Sequence, residues 1–409
     1  MADARVEPVA PTARPERRPE LDALRLLVVL GLVFFHSALV FDTEDDFYVK
    51  NAETSDVPTI VGGLGVVWAM PMLFLVAGFG AWHSLRRRGP AGFVVERLRR
   101  LGVPLLFALV TLLPVPQWLR RRAADPGYHE SYWRYWPRFF DVHLEPAKFP
   151  FVVQGDDFET GHLWFVLLLL VFSLAVALLV LRLPRGLARR TLDRLAVAAQ
   201  RRGAILLPTV PVALISALVG LEKNYAAWHR WAYLLFFLYG FVVAADERFR
   251  TAMRREAGWA AGLGLVLYLA ALPGFLAADD PFTDRTALAI GARALYGAAG
   301  WCWLVGILGL LDRRGRRRAP AGPSELPADE EPDRRSRRVY GYLAAAVLPL
   351  YVLHQPIVVA VAYGVVGWHA PVAVKYVVIV AASLALTVAA YDLLVRRTRV
   401  TRFLFGMRP

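Results

Sequence analysis

The chain has 409 residues, 57% of them apolar and 20% charged, and a net charge of +14. Soluble domains carry about 25% charged residues. Here the apolar residues gather into runs of about 17 to 25, long enough to cross a hydrocarbon core of roughly 30 Å, which excludes an ordinary soluble globule. The arginines lie in short clusters between those runs, as the positive-inside rule requires, so the basic charge points to a lipid bilayer and not to nucleic acid.

Residues 1–20 are rich in Pro, Arg and Glu without an apolar centre, and they read as a disordered cytoplasmic tail. The next apolar run is longer than a signal-peptide core and has no A-x-A site after it, so it reads as a retained span. Apolar length predicts spans near 24–41, 59–83, 102–118, 162–182, 203–220, 231–246, 257–277, 286–311, 339–366 and 371–395. The fold class is therefore all-α, a polytopic bundle of about ten transmembrane helices in the cell membrane. Placing both termini in the cytoplasm puts roughly 35 of the 48 Lys and Arg on that side and about ten outside.

The membrane-embedded domain then covers 21–396, with a basic cytoplasmic tail at 397–409. Residues 119–161 form an external loop crowded with Trp, Tyr, Phe, Arg and acidic residues, suited to headgroup anchoring or to stacking on sugar rings. Residues 312–338 are charged, Pro-bearing and aperiodic, and read as a flexible cytoplasmic linker. The third span, "LGVPLLFALVTLLPVPQWL", holds three prolines and precedes Arg120, Arg121 and Arg122 on the nominal outside. A shortened or broken helix is the alternative there to a full crossing. Cys302 is the one cysteine, so no intramolecular disulfide forms.

Within "LDALRLLVVLGLVFFHS", residues 21–37, Arg25 and His36 are eleven positions apart. Eleven steps of about 100° return to within ~20° of the start, so both lie on one helix stripe, roughly 16 Å apart along it. Asp22 sits one turn before Arg25 and can pair with it. Arg25 alone reads as a snorkelling anchor; an intramembrane histidine faces a cavity or the bundle interior. There His36 can take a proton from a hydroxyl, and Arg25 can meet an anion at the cytoplasmic end. In "FVVERLRRLGVPLLF", Arg97 and Arg100 share a helix face just inside the cytoplasm, as topology anchors or as a fork for phosphates. His162 and Trp164 open the span "GHLWFVLLLL" from outside. Tyr351 and His354 lie within "LPLYVLHQPIVV", where Pro356 leaves a carbonyl unpaired, a frequent companion of cavities. Arg293 and Glu222 are further intramembrane or boundary charges without an assigned role.

Taken in order, the Arg25–His36 pair, "FLVAGFGAWHSLRRR", "ERLRRLGVPLLF", "HLWFVLLLL" and "YVLHQP" resemble the integral-membrane acyltransferase-3 family over about residues 20–395. Within it, "MPMLFLVAGFGAW" followed by "ERLRRLGVPLLF" looks most similar to the glucan biosynthesis protein C group. The resemblance implies ten spans with both termini cytoplasmic, and transfer of an acyl group, acetyl, succinyl or similar, from cytoplasmic acyl-coenzyme A. The acceptor it implies is a hydroxyl of an extracytoplasmic glycan or other carbohydrate. It makes His36 the catalytic histidine, as general base or as transient acceptor of the acyl group, with Arg25 beside it, and Arg97 and Arg100 the cytoplasmic arginine pair that meets the donor. Asp22, His162, Trp164, Tyr351 and His354 are the further candidate substrate-binding residues. No metal and no bound cofactor are expected; acyl-coenzyme A enters as a substrate. Ala77 in "VAGF" stands where many relatives have serine, so no role for a serine hydroxyl is carried over.

The rival reading is a secondary transporter with His and Arg as relays, weakened by the lack of an evident inverted repeat. A catalytically silent membrane partner of the same fold is the third. Consumption of acyl-coenzyme A by purified protein favours the enzyme; uptake into vesicles without chemical change favours the carrier. Nothing in the sequence fixes the oligomeric state.

Overall fold

The computed structural model describes residues 19–318 and 334–407. It is almost entirely helical. The first helices are α1 (Pro19–Leu39), α2 (Val57–Arg97), α3 (Val103–Thr111), α4 (Pro114–Ala124) and α5 (Tyr132–Tyr135). They are followed by α6 (Trp164–Arg182), α7 (Arg185–Ala199), α8 (Thr209–Leu218), α9 (Arg230–Val243) and α10 (Glu247–Ala277). The chain ends with α11 (Ala287–Arg318), α12 (Arg334–Val365), α13 (Val372–Ala390) and α14 (Arg399–Leu404). A two-stranded antiparallel ribbon, β1 (His143–Leu144) and β2 (Val153–Gln154), is the only sheet among the described residues.

Among the described residues, seven segments are long and apolar enough to cross a membrane, or eight if α7 and α8, bent by 120°, form one broken span. The chain is a multi-pass membrane protein. One segment, Val57–Ala124, has 68 residues, far more than the ~20 a crossing needs. It folds back at Gly89, whose φ of 69° belongs to glycine. Ser84 on one side of that turn donates to Glu96 on the other, Oγ to Oε2 at 2.6 Å. In a straight helix those residues would stand about 18 Å apart.

Three expected spans are not single straight helices of crossing length. The fifth and sixth, 203–220 and 231–246, hold helices of only 10 and 14 residues, α8 and α9; at 1.5 Å per residue neither reaches across roughly 30 Å. The third is broken between α3 and α4 at Leu112–Leu113, just ahead of Pro114. Its three trailing arginines are not free: Arg120 pairs with Asp46, Arg121 with Asp157 at 2.6 Å, and Arg122 lies over Trp118. Carboxylates and an aromatic ring of the same end answer charges that the topology rule would send to the other side.

The polar ends sort into two layers. At the arginine-rich end, Arg254 pairs with Asp312, Arg248 with Asp193, and Arg100 reaches the carbonyl of Gly406. The expected flexible linker 312–338 is partly helix: α11 continues to Arg318 and α12 begins at Arg334, while 319–333 lie outside the described residues. The tail 397–409 carries α14, whose end docks so closely that a Cβ at Gly406 would stand 2.4 Å from the Arg100 carbonyl oxygen. Of the N-terminal tail, residues 1–18 lie outside the described residues and α1 begins at Pro19. At the opposite end, the 40–56 and 125–161 connections form a cap held by Tyr48–Glu159 and Lys375–Asn51 hydrogen bonds.

Glycine seams bring the helices together. A Cβ on Gly78 would fall 1.9 Å from the Phe237 carbonyl oxygen, and one on Gly240 would fall 1.8 Å from that of Leu75, so α2 and α9 cross backbone to backbone. Along α10 and α11, Gly264 meets Trp303, Gly274 meets Ala292 and Gly309 meets Met253, an antiparallel hairpin closed by small residues. Against this frame α1, α12 and α13 pack side by side.

Candidate active site

Three histidines far apart in sequence meet between α1, α12 and the start of α6. His36 Nδ1 lies 3.0 Å from His354 Nε2, and the His162 ring stands edge-on to that of His354 with centroids 5.1 Å apart. His36 thus faces the bundle interior, and His354 is fully buried. On its outer side His36 is roofed by Phe47, whose ring is parallel to within 13°.

The hydrogen-bond partners fix the tautomers. His354 Nδ1 is 2.6 Å from the Tyr351 carbonyl oxygen, which can only accept, so Nδ1 carries the hydrogen. Neutral His354 then offers a lone pair at Nε2, and His36 Nδ1 is the donor across the 3.0 Å contact. His36 is left with its lone pair at Nε2, as a general base requires. The same reasoning places a hydrogen on His162 Nε2, which donates to the Val352 carbonyl at 3.1 Å, and leaves His162 Nδ1 buried without a partner.

Pro356 explains why that carbonyl is available. A helical proline lacks the N–H that would bond four residues back, and four residues back is Val352. Gln355 adds a second tie: its Oε1 accepts the His162 backbone N–H at 3.0 Å, satisfying an orphan donor where α6 begins. Tyr351 donates its hydroxyl to the His162 carbonyl. The "YVLHQP" stretch thus supplies a ring, a carbonyl, an amide and a hydroxyl to hold the His162 corner.

Toward the arginine-rich end, Arg25 donates to Asp22 at 3.0 Å and to the Val76 carbonyl at 3.1 Å. Gly80 leaves room for that guanidinium, 3.6 Å from where a Cβ would stand. Arg100 and Arg88 share Glu96 at 3.4 and 3.5 Å. Arg97 lies over the Phe93 ring and its Nε is buried without a partner. Leu98–Gly102 winds as a π-helix, not as the regular turn that equal spacing assumed; π turns frequently mark functional sites. Arg25, Arg88, Arg97 and Arg100 lie within one electrostatic neighbourhood, and the carboxylates paired with them are Asp22 and Glu96.

Trp164 does not join the histidines. Its indole is stacked with Tyr233 at 5.2 Å and packed against Phe74 and Tyr225, inside the aromatic core. Arg293 is 2% exposed and donates to the carbonyls of Pro281, Ala217 and Asp284, tying a loop to the end of α8. Glu222 is the bidentate partner of Arg230. Sequence reasoning passed over Glu96 and Gln355, although each was legible as a polar residue within or bordering an apolar run.

Residues 18–392 match the acyltransferase-3 family, described as an acyltransferase domain. Over 164 residues the chain is 26% identical to glucans biosynthesis protein C of Escherichia coli O6:K15:H31 (strain 536 / UPEC). That alignment covers 39% of this chain and 37% of the relative, so the chain matches little over a third of that protein's length. No solved structure matches the chain. With nearly its whole length within the family and its helices arranged for a membrane, the chain belongs to the acyltransferase-3 family.

Proposed function

We propose that the protein moves an acyl group from cytoplasmic acyl-coenzyme A to a hydroxyl of an extracytoplasmic glycan, with His36 as the general base. The observation that carries this reading is the 3.0 Å contact between His36 Nδ1 and His354 Nε2, on a stripe that begins at Arg25. The arginine-rich end is taken as cytoplasmic on the positive-inside bias. There Arg97, Arg100 and Arg25 meet the donor's phosphates, which bidentate guanidinium groups suit.

The acceptor oxygen attacks the thioester carbonyl as His36 Nε2 takes its proton. The tetrahedral adduct then collapses, the C–S bond breaks, and the thiolate leaves with the proton returned from His36. While His36 is an imidazolium, its Nδ1–H bond to the neutral His354 lone pair becomes charge-assisted and strengthens. His354 is therefore a positioning residue that favours the transition state. The low dielectric of the buried pair makes that preference larger than it would be in water.

The test is His36→Ala in purified protein reconstituted in lipid, followed by thiol release from acyl-coenzyme A and by mass spectrometry of the acceptor. General-base loss costs about 10²–10⁴-fold in rate. Normal membrane insertion with loss of acylation supports the reading, and full acylation by this variant removes it.

A further inference from the structure

Residues 182–202 carry seven arginines and one carboxylate, Asp193. Within that stretch α7 turns by 120° into α8, so with α8 entering the bilayer α7 lies nearer the membrane plane than its normal. The fold holds it there. Ala196 and Ala199 are buried, and the helix packs on α10 and on the turn Ala204–Leu206. Arg255 of α10 donates to the carbonyls of Gln200 at 2.8 Å and of Arg201 at 2.9 Å, satisfying acceptors that the end of α7 leaves open. Asp193 is taken by Arg248 of α10 at 2.6 Å.

At about 100° per residue the remaining side chains sort into sectors around α7. Leu187, Thr191, Leu195 and Ala198 fall within about 80° of one another, and all four are exposed. Arg189 and Asp193 lie on the side opposite that stripe. Arg190 and Arg194, both exposed, form a row opposite the buried alanines, beside the leucines. Neither of these two arginines has an ion pair among the described residues. The apolar surface also continues into α8, where Leu207, Val210, Leu214 and Leu218 are exposed on one face. Leucines at the depth of the acyl chains with arginines at headgroup level are the pattern of a helix lying in the membrane interface.

We infer that α7 is such an interfacial helix, and that Arg190 and Arg194 bind the phosphates of anionic phospholipids in the leaflet at the arginine-rich end. The guanidinium fork matches a phosphate bidentately. A zwitterionic headgroup brings its own cation to the site and gains less. The four sectors then have four distinct surroundings: protein for Ala196 and Ala199, acyl chains for Leu187 and Leu195, headgroups for Arg190 and Arg194, and water for Arg189. This inference stands apart from the acyl-transfer mechanism, since no residue of α7 touches the histidines or the arginines assigned to the donor.

The experiment uses the full chain in mild detergent, titrated with phosphatidylglycerol or phosphatidylcholine and read by native mass spectrometry as lipid bound. Wild type is expected to prefer phosphatidylglycerol. Arg190→Gln combined with Arg194→Gln should lower that affinity by about 30-fold, close to fivefold for each arginine at an anionic surface, while Arg189→Gln leaves it unchanged. Depth is read with a nitroxide on Leu195→Cys or on Arg189→Cys in nanodiscs containing phosphatidylglycerol; Cys302 is buried and stays unlabelled. The Leu195 label should be relaxed by oxygen, and the Arg189 label by an aqueous nickel chelate. Equal binding of the two lipids by wild type, or undiminished phosphatidylglycerol binding by the double variant, overturns the lipid site. A Leu195 label relaxed by the nickel chelate overturns the interfacial placement and makes α7 a face for a soluble partner instead.

Discussion

The Nε2 hydrogen of His162 points at the Val352 carbonyl oxygen, 3.1 Å away, at the acceptor that Pro356 leaves open. The proline is thus part of the site, because a regular helix would offer that carbonyl to its own backbone. Pro356→Ala is expected to restore the helical bond, straighten α12 and loosen His162. The measurable outcome is a lower kcat, by about tenfold, with a thermal midpoint equal to or above wild type, since proline in a helix interior costs about 3 kcal/mol. Unchanged turnover with a higher midpoint would show that His162 does not need this anchor.

In the proposed mechanism His354 acts on the reaction only through His36, so its replacements should separate by what they offer at Nε2. His354→Phe keeps the ring volume but removes the acceptor, leaving the His36 Nδ1–H buried and unpaired at a cost of about 1–3 kcal/mol. Turnover should fall by roughly 10- to 100-fold, less than in His36→Ala, with KM for the donor nearly constant. His354→Gln, which can still accept, should recover part of that loss. Equal rates for the Phe and Gln variants would argue that His354 merely fills space.

The fold was legible in the sequence where long apolar runs meet a fixed bilayer thickness, as in α1, α6, α10, α11, α12 and α13. It was not legible in α8 and α9, whose apolar runs exceed their helices because turns and caps there are also apolar. The stripe from Arg25 to His36 follows from helix periodicity alone. The pairing of His36 with His354 does not, since 318 residues separate them and only the packing of α1 on α12 makes them neighbours. The regular face assigned to Arg97 and Arg100 is altered by a π turn that no residue pattern announced.

Glu159 makes the cap sensitive to pH. Burial holds its carboxyl above the ordinary 4.5, against the opposing pull of Tyr48, Arg120 and Gln117. The folded cap therefore binds this proton more tightly than the open chain, so its stability is greatest at low pH and declines as pH rises from about 4.5 through the raised value. Hydrogen exchange of residues 42–56 should accelerate over that window and then level off. Glu159→Gln, neutral throughout, should flatten the dependence; a variant with the wild-type slope would assign the titration to another group.

Gly78 and Gly240 carry a backbone-to-backbone crossing of α2 and α9, and their substitution should be costly in a way that composition does not forecast. Gly240→Ala would place its Cβ 1.8 Å from the Leu75 carbonyl oxygen and 2.9 Å from the Leu75 Cα, both backbone atoms that cannot rotate aside. The helices must part, and overpacking of this kind costs about 1–3 kcal/mol or more. Gly258→Ala in α10 is the control, since nothing lies within 4 Å of a Cβ there, and alanine should gain up to ~1 kcal/mol of helix propensity. Thermal unfolding in detergent should therefore move in opposite directions for the two variants. A shift of equal sign in both would mean that α2 and α9 are able to separate without loss, and that the crossing does not hold the frame on which the histidines are mounted.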